Sequence, residues 1–121
     1  MSEINGSAAV APSTYSPVVA RGEEEGVAWE TCRAPIYDAV NGYVRVPEGH
    51  PWAGLDYVDI DVQVHGGLTY SADGWIGFDA MHSGDYWPGM GNLFRNGREW
   101  TAEQVADETR SLARQVAEAG R

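Results

Sequence analysis

Three histidines and several carboxylates crowd the middle of this sequence, and imidazole beside carboxylate is the pairing from which metal sites and general acid–base pairs are built. His65 and Asp79 each fall at the expected end of a strand, and His82 and Asp85 follow in the next loop. The intervening turns can therefore carry His65, Asp79, His82 and Asp85 into one hollow. Such a set suits a divalent metal that activates water, or an acid and a base acting directly. Asp59, Asp61 and His65 cannot do this alone: in a strand Asp61 and His65 stand about 13 Å apart, beyond one ion's coordination sphere. The reading that asks less of the histidines has His65 and His82 hydrogen-bonding to carboxylates and loop carbonyls, which fixes glycine-rich segments without any reaction. The spacing between His82 and Asp85 arises often by chance, and neither a His-Glu-x-x-His nor a paired Cys-x-x-Cys pattern occurs. The expectation is accordingly no catalytic residue and no cofactor, with the four-residue set and a divalent metal as the alternative.

The aromatic residues offer a different chemistry. Trp52, Trp75, Tyr86 and Trp87, interleaved with Arg45, Arg95 and Arg98, can stack on a nucleotide base or anchor a protein interface. Trp29, Trp75 and Trp100 are expected in the core, leaving Tyr86, Trp87 and Met90 as the better interface candidates. The residues expected to bind a ligand or partner are His50, Trp52, His65, His82, Asp85, Tyr86 and Trp87. Gly66 and Gly67 can cradle a phosphate, but paired glycines more often serve a bend. No phosphate-binding loop, dinucleotide fingerprint or serine elbow is present. Cys32 is the only cysteine, sits mid-strand, and reads as a structural thiol in a reducing cytosol.

The elements that must position these groups are legible in outline. Residues 27–33 and 42–46 are rich in β-branched and aromatic side chains and are separated by Pro35 and Asn41-Gly42, so they read as two neighbouring strands. Two prolines and two glycines make residues 47–57 an ordered loop pinned by Trp52 and Tyr57. Residues 59–65 alternate, with Ile60, Val62 and Val64 on one face and Asp59, Asp61, Gln63 and His65 on the other, which predicts a half-buried strand. Residues 68–71 and 74–79 form a hairpin through Ala72, Asp73 and Gly74. Residues 80–99 are too aromatic for a solvated linker and are expected to pack as an irregular functional loop. Thr101 and Gln104 make a capping box with Trp100 and Val105 as a staple, and the helix that follows has the stripe Val105, Thr109, Leu112 and Val116. The predicted fold is α+β: an antiparallel sheet of four to five strands with one C-terminal helix packed on a face.

Length and composition set limits. The 121 residues suit one domain, with residues 1–25 as a flexible acidic tail ending in Glu23, Glu24 and Glu25 and residues 26–121 as the folded part. Eighteen acids against eight arginines give a net charge of -10, so direct nucleic-acid binding is not expected. No basic leader precedes the short apolar stretch at residues 8–11, and no window is apolar enough to span a bilayer. A cytoplasmic location and no membrane association are expected.

The block Gly42 to Trp52, the motif His65-Gly-Gly-Leu-Thr69, and Gly77-Phe-Asp79 with His82, Gly84 and Asp85 occur together. In this combination the chain resembles a family of short uncharacterised proteins from phages, prophages and bacteria, over about residues 27–119. Ala80 stands where that family often has a cysteine, so no thiol role transfers to this position. No activity comes with the resemblance. It implies an accessory protein of phage type that binds and disables a host or anti-phage defence component, and the small size, the charge of -10 and the missing catalytic motifs make a non-enzymatic, cytosolic role the expectation. The alternative is a pocket that sequesters a nucleotide signal or hydrolyses it with a metal. A third reading is a virion assembly factor that forms homo-oligomers through its edge strands.

Overall fold

The computed structural model describes residues 11–34, 39–79 and 101–121. Five strands, β1 (Val18–Glu24), β2 (Val27–Arg33), β3 (Val40–Arg45), β4 (Tyr70–Ala72) and β5 (Trp75–Phe78), form an antiparallel sheet in the order β1-β2-β3-β5-β4. One helix, α1 (Ala102–Ala119), packs across β1, β2 and β3, so the fold is α+β as the sequence predicts. Among the described residues, no helix is long and apolar enough to cross a membrane.

Both tight hairpins use two-residue turns with positive φ at each position: Glu25 (51°) and Gly26 (83°) between β1 and β2, Asp73 (55°) and Gly74 (84°) between β4 and β5. This geometry matches the right-handed twist of paired strands. The first hairpin corrects the expectation of a flexible tail through residue 25, because residues 18–24 are the edge strand β1. Its burial runs nearly fully exposed, with no inward-outward alternation to betray a strand.

On the helix side of the sheet, Trp29, Val44, Ile76 and Phe78 meet Val105, Ala106, Leu112, Ala113 and Val116 in one core. The capping box forms, with Gln104 N–H donating to Thr101 Oγ1 at 3.0 Å and Thr101 N–H donating to Gln104 Oε1 at 2.9 Å. Thr109 is the polar member of the buried stripe, and its hydroxyl donates to Val105 O at 2.6 Å, so no polar atom is stranded there. The strand glycines fit between large neighbours. Gly22 pairs in register with Trp29, Gly42 with Phe78, and Gly77 with Tyr43. A Cβ on Gly42 would lie 2.6 Å from Phe78 Cε1 and overlap Thr109 Oγ1, so helix and sheet approach most closely where β3 has no side chain.

Residues 60–65 correct the second expectation. They are extended, with Ile60 buried and Val62 and Val64 packed on the core, but they pair with no strand. The side-chain amide of Gln115 on α1 takes the place of a neighbouring strand: Gln63 N–H donates to Gln115 Oε1 and Gln115 Nε2 donates to Gln63 O, both at 2.8 Å. His65 N–H donates to Glu108 Oε2 at 2.8 Å. Side-chain alternation was visible in the sequence, but the source of the backbone's partners was not. Gly42→Ala is expected to destabilise the protein by about 1–3 kcal/mol through overpacking, measured as a lower urea midpoint with an unchanged slope.

Candidate functional site

His50 sits at the end of the turn that follows β3, and its ring is spoken for on both sides. Nδ1 accepts the Trp52 N–H at 2.9 Å, so the proton resides on Nε2, which donates to Val116 O at 2.7 Å near the end of α1. The Trp52 ring lies 5.1 Å from the imidazole, centroid to centroid, and is half-buried against the core. His50 thus latches the 47–59 loop to the helix and is not placed as a free ligand. His65 belongs to a segment held at Glu108, eight residues before Val116, a separation of about 12 Å along the helix axis. The structure does not gather His50 and His65 into one donor set. Asp79 follows β5 and adds negative charge near Tyr43. His82, Asp85, Tyr86 and Trp87 lie outside the described residues, as do Met90, Arg95, Arg98 and Trp100. Among the described residues, no group of three or more His, Cys, Asp or Glu is placed to hold a metal ion.

The sheet face opposite α1 carries polar groups that the sequence reading passed over. Glu30 alternates with Trp29 and Thr31 along β2, is 4% exposed, and accepts the Ser13 N–H at 2.8 Å from the short 3-10 turn Pro12–Thr14. Cys32 is next on this face, 1% exposed, with Sγ donating to Glu30 Oε2 at 3.8 Å. Burial pushes the Cys32 thiol up to about 12, and the Glu30 charge and hydrogen bond push in the same direction. Tyr43 and Tyr70 meet edge to face at 5.2 Å, and burial raises both phenols. Near neutral pH the Cys32 thiol and the two phenols are thus held in their neutral forms.

The chain between β3 and β4 presents an apolar prominence in an acidic stretch. Asp56 accepts the Val58 N–H and caps the 3-10 turn Tyr57–Asp59, while Tyr57 N–H donates to Ser71 Oγ at 3.0 Å, tying the turn to the β4–β5 hairpin. This leaves Leu55 (39%), Tyr57 (36%) and Val58 (72%) exposed side by side. From Val46 to Asp79 the chain carries six carboxylates, Glu48, Asp56, Asp59, Asp61, Asp73 and Asp79, and no arginine. Among the described residues, Asp56, Asp59, Asp61 and Asp73 make no ion pair. The acids of α1 and the β1–β2 turn are treated differently: Arg110 pairs with Asp107, Arg114 with Glu24, and Arg121 with Glu25 and Glu118.

A cleft of about 170 Å³ opens beside the prominence, its lining including Trp52, Leu55, Ser71, Asp73, Trp75 and Ile76. Sites for drug-sized ligands run from about 300 Å³ upward, so this one has room for a single side chain. A larger hollow of about 350 Å³ lies at the end of α1 between Glu25, Glu48, His50 and Arg121. There Arg121 is already engaged by Glu25 and Glu118, which leaves no spare cation for a phosphate. A scan of protein-family models and searches of curated proteins and solved structures found no match. The residues themselves are then the guide, and the 50–61 loop with the β4–β5 hairpin is the candidate site.

Two outcomes are expected. His50→Ala loses both ring hydrogen bonds and should lower stability by about 1–3 kcal/mol, with faster amide exchange at Trp52. Cys32 should resist a chromogenic disulfide reagent at about pH 8 in the native protein and react with one equivalent once denatured.

Proposed function

We propose that this protein is a binding protein that catalyses no reaction, and that it docks a basic partner protein through the prominence at Leu55, Tyr57 and Val58. One observation carries the reading: exposed apolar side chains share a stretch of chain with four carboxylates that form no ion pair among the described residues. Isolated exposed apolar residues need no explanation, but three adjacent ones at the apex of a capped turn form the kind of anchor that an interface buries at its centre. Unpaired carboxylates around such an anchor steer a cationic surface inward and set its orientation. The same field repels a nucleic-acid backbone or an anionic nucleotide signal. The resemblance to phage-type accessory proteins supplies the class of partner, a host or anti-phage defence component whose working surface is masked on binding. The acids of β1 and its turn, Glu23, Glu24 and Glu25, discourage edge-to-edge pairing of this strand with a second chain.

The test is retention of partners from host lysate on immobilised protein, followed by binding of the purified partner. Val58→Ser should leave folding stability within about 0.5 kcal/mol of the parent, because the side chain is largely in water, and should weaken the partner about ten-fold. Affinity of the parent protein should fall as salt is raised. Absence of a stoichiometric partner, or a partner indifferent to both salt and Val58→Ser, overturns the reading.

A further inference from the structure

We infer that the cleft beside the prominence takes one apolar side chain from an extended, arginine- or lysine-rich segment of the partner. The inference rests on the binding role proposed above and names the chemistry that this site selects. Size comes first. About 170 Å³ excludes a nucleotide and accommodates one aliphatic or aromatic side chain against Val46, Trp52, Leu55, Trp75 and Ile76.

The polar atoms in the lining determine what accompanies that side chain. Ser71 Oγ accepts the Tyr57 N–H, and its own hydroxyl hydrogen has no acceptor among the described residues. Trp75, 7% exposed, contributes to the wall. The free hydroxyl hydrogen of Ser71 calls for an acceptor oxygen. Carboxylates and phosphates are acceptors too, but the site repels them. Asp73 lines the cleft, Asp56 adjoins Leu55, and neither has an ion-pair partner among the described residues. Arg45, in register with Trp75, is exposed and makes no ion pair with either. The acceptor that remains is the neutral carbonyl of a peptide backbone, and cationic residues on both sides of the anchor meet Asp56 and Asp73. An extended segment supplies all three features at once: an anchoring side chain, carbonyls and flanking cations.

Two substitutions remove the charge while keeping the fold. Asp73 has φ of 55°, a region asparagine also tolerates, and asparagine caps a turn as aspartate does at position 56. Asp56→Asn/Asp73→Asn is therefore the diagnostic variant. The probes are three blocked pentapeptides: leucine flanked by four arginines, serine flanked by four arginines, and leucine flanked by four glutamates. Binding is followed by tryptophan fluorescence, since Trp52 and Trp75 line the cleft, and by backbone amide shifts. The arginine peptide with leucine should bind about ten-fold more tightly than its serine counterpart. The glutamate peptide should not bind. The double variant should lose at least about five-fold in affinity for the leucine–arginine peptide at low salt, with the gap closing as salt rises. Shifts should map to residues 52–58 and 71–76.

Equal affinity for the two arginine peptides, an unaffected double variant, or shifts confined to Glu30, Cys32 and Tyr43 would each overturn the inference. If no peptide binds while a purified partner is still held in a manner sensitive to Val58→Ser, the cleft assignment falls and the binding role stands. If neither peptide nor partner is held, both fall.

Discussion

The closest approach of helix to sheet, where α1 sets Thr109 over Gly42, is the constraint from which the rest of the structure follows. Gly42 has no side chain to separate the layers, and its space is filled from across the strand pair by the ring of Phe78. The other strand glycines repeat the arrangement, Gly22 beneath Trp29 and Gly77 beneath Tyr43. An aromatic ring lying over a glycine on the adjacent strand covers backbone that would otherwise be wet, and it fixes register, because a slip of one residue puts the ring against a side chain. Fixing β3 against β5 fixes the β4–β5 hairpin, and that hairpin carries Ser71, Asp73 and Trp75 to the cleft. The site is thus positioned by packing at a residue that never touches it.

Between Val46, whose N–H donates to Gly74 O, and Thr69, whose N–H donates to Gly77 O, the chain forms no strand among the described residues, yet its backbone polar groups still require partners. Local turns satisfy part of them, and helix α1 adds others through its flank: Gln115 to both backbone groups of Gln63 and Glu108 to the His65 N–H, with the Val116 carbonyl taking the His50 ring. One face of the helix therefore holds the sheet while its edge holds the loop that presents the prominence. Loss of helix order should release both together. It also explains why His50 looked like chemistry in the sequence. An imidazole in a glycine- and proline-rich loop has the same signature whether it binds a ligand or closes a latch, and only the direction of its two nitrogens separates the cases.

Elements whose information is local were legible in the sequence. The capping box at Thr101, the stripe Val105, Thr109, Leu112 and Val116, and the turn at Asp73-Gly74 each depend on residues a few positions apart. What was missed depends on partners distant in sequence. β1 was hidden because an edge strand with little buried surface needs no alternation, and because Glu25-Gly26 is an uncommon pair for its turn. Glu30 was unremarked because its burial comes from Ser13, seventeen residues away. The alternation at residues 59–65 was correctly seen, but its pairing with a helix side chain has no sequence period. The exposed trio at the candidate site breaks no local rule either. It stands out only once Tyr57 is seen tied to Ser71 and the neighbouring acids are seen unpaired.

Charge placement completes the physical case for a docking surface. A net charge of -10 would repel itself throughout a domain this small if spread evenly, yet the structure sorts it. Arginines in the helix compensate the acids nearest the β1–β2 turn and along α1, where the chain must close on itself. Between residues 46 and 79 no arginine occurs, so the charges of Asp56, Asp59, Asp61 and Asp73 are not offset by ion pairs among the described residues, in the same stretch that exposes Leu55, Tyr57 and Val58. Asp56 caps a turn and Asp73 tolerates its φ, but asparagine would serve both positions without the charge. Asp59 and Asp61 have no ion-pair partner among the described residues. Folding therefore does not account for four negative charges here, whereas a cationic partner would neutralise them while covering the apolar group between them.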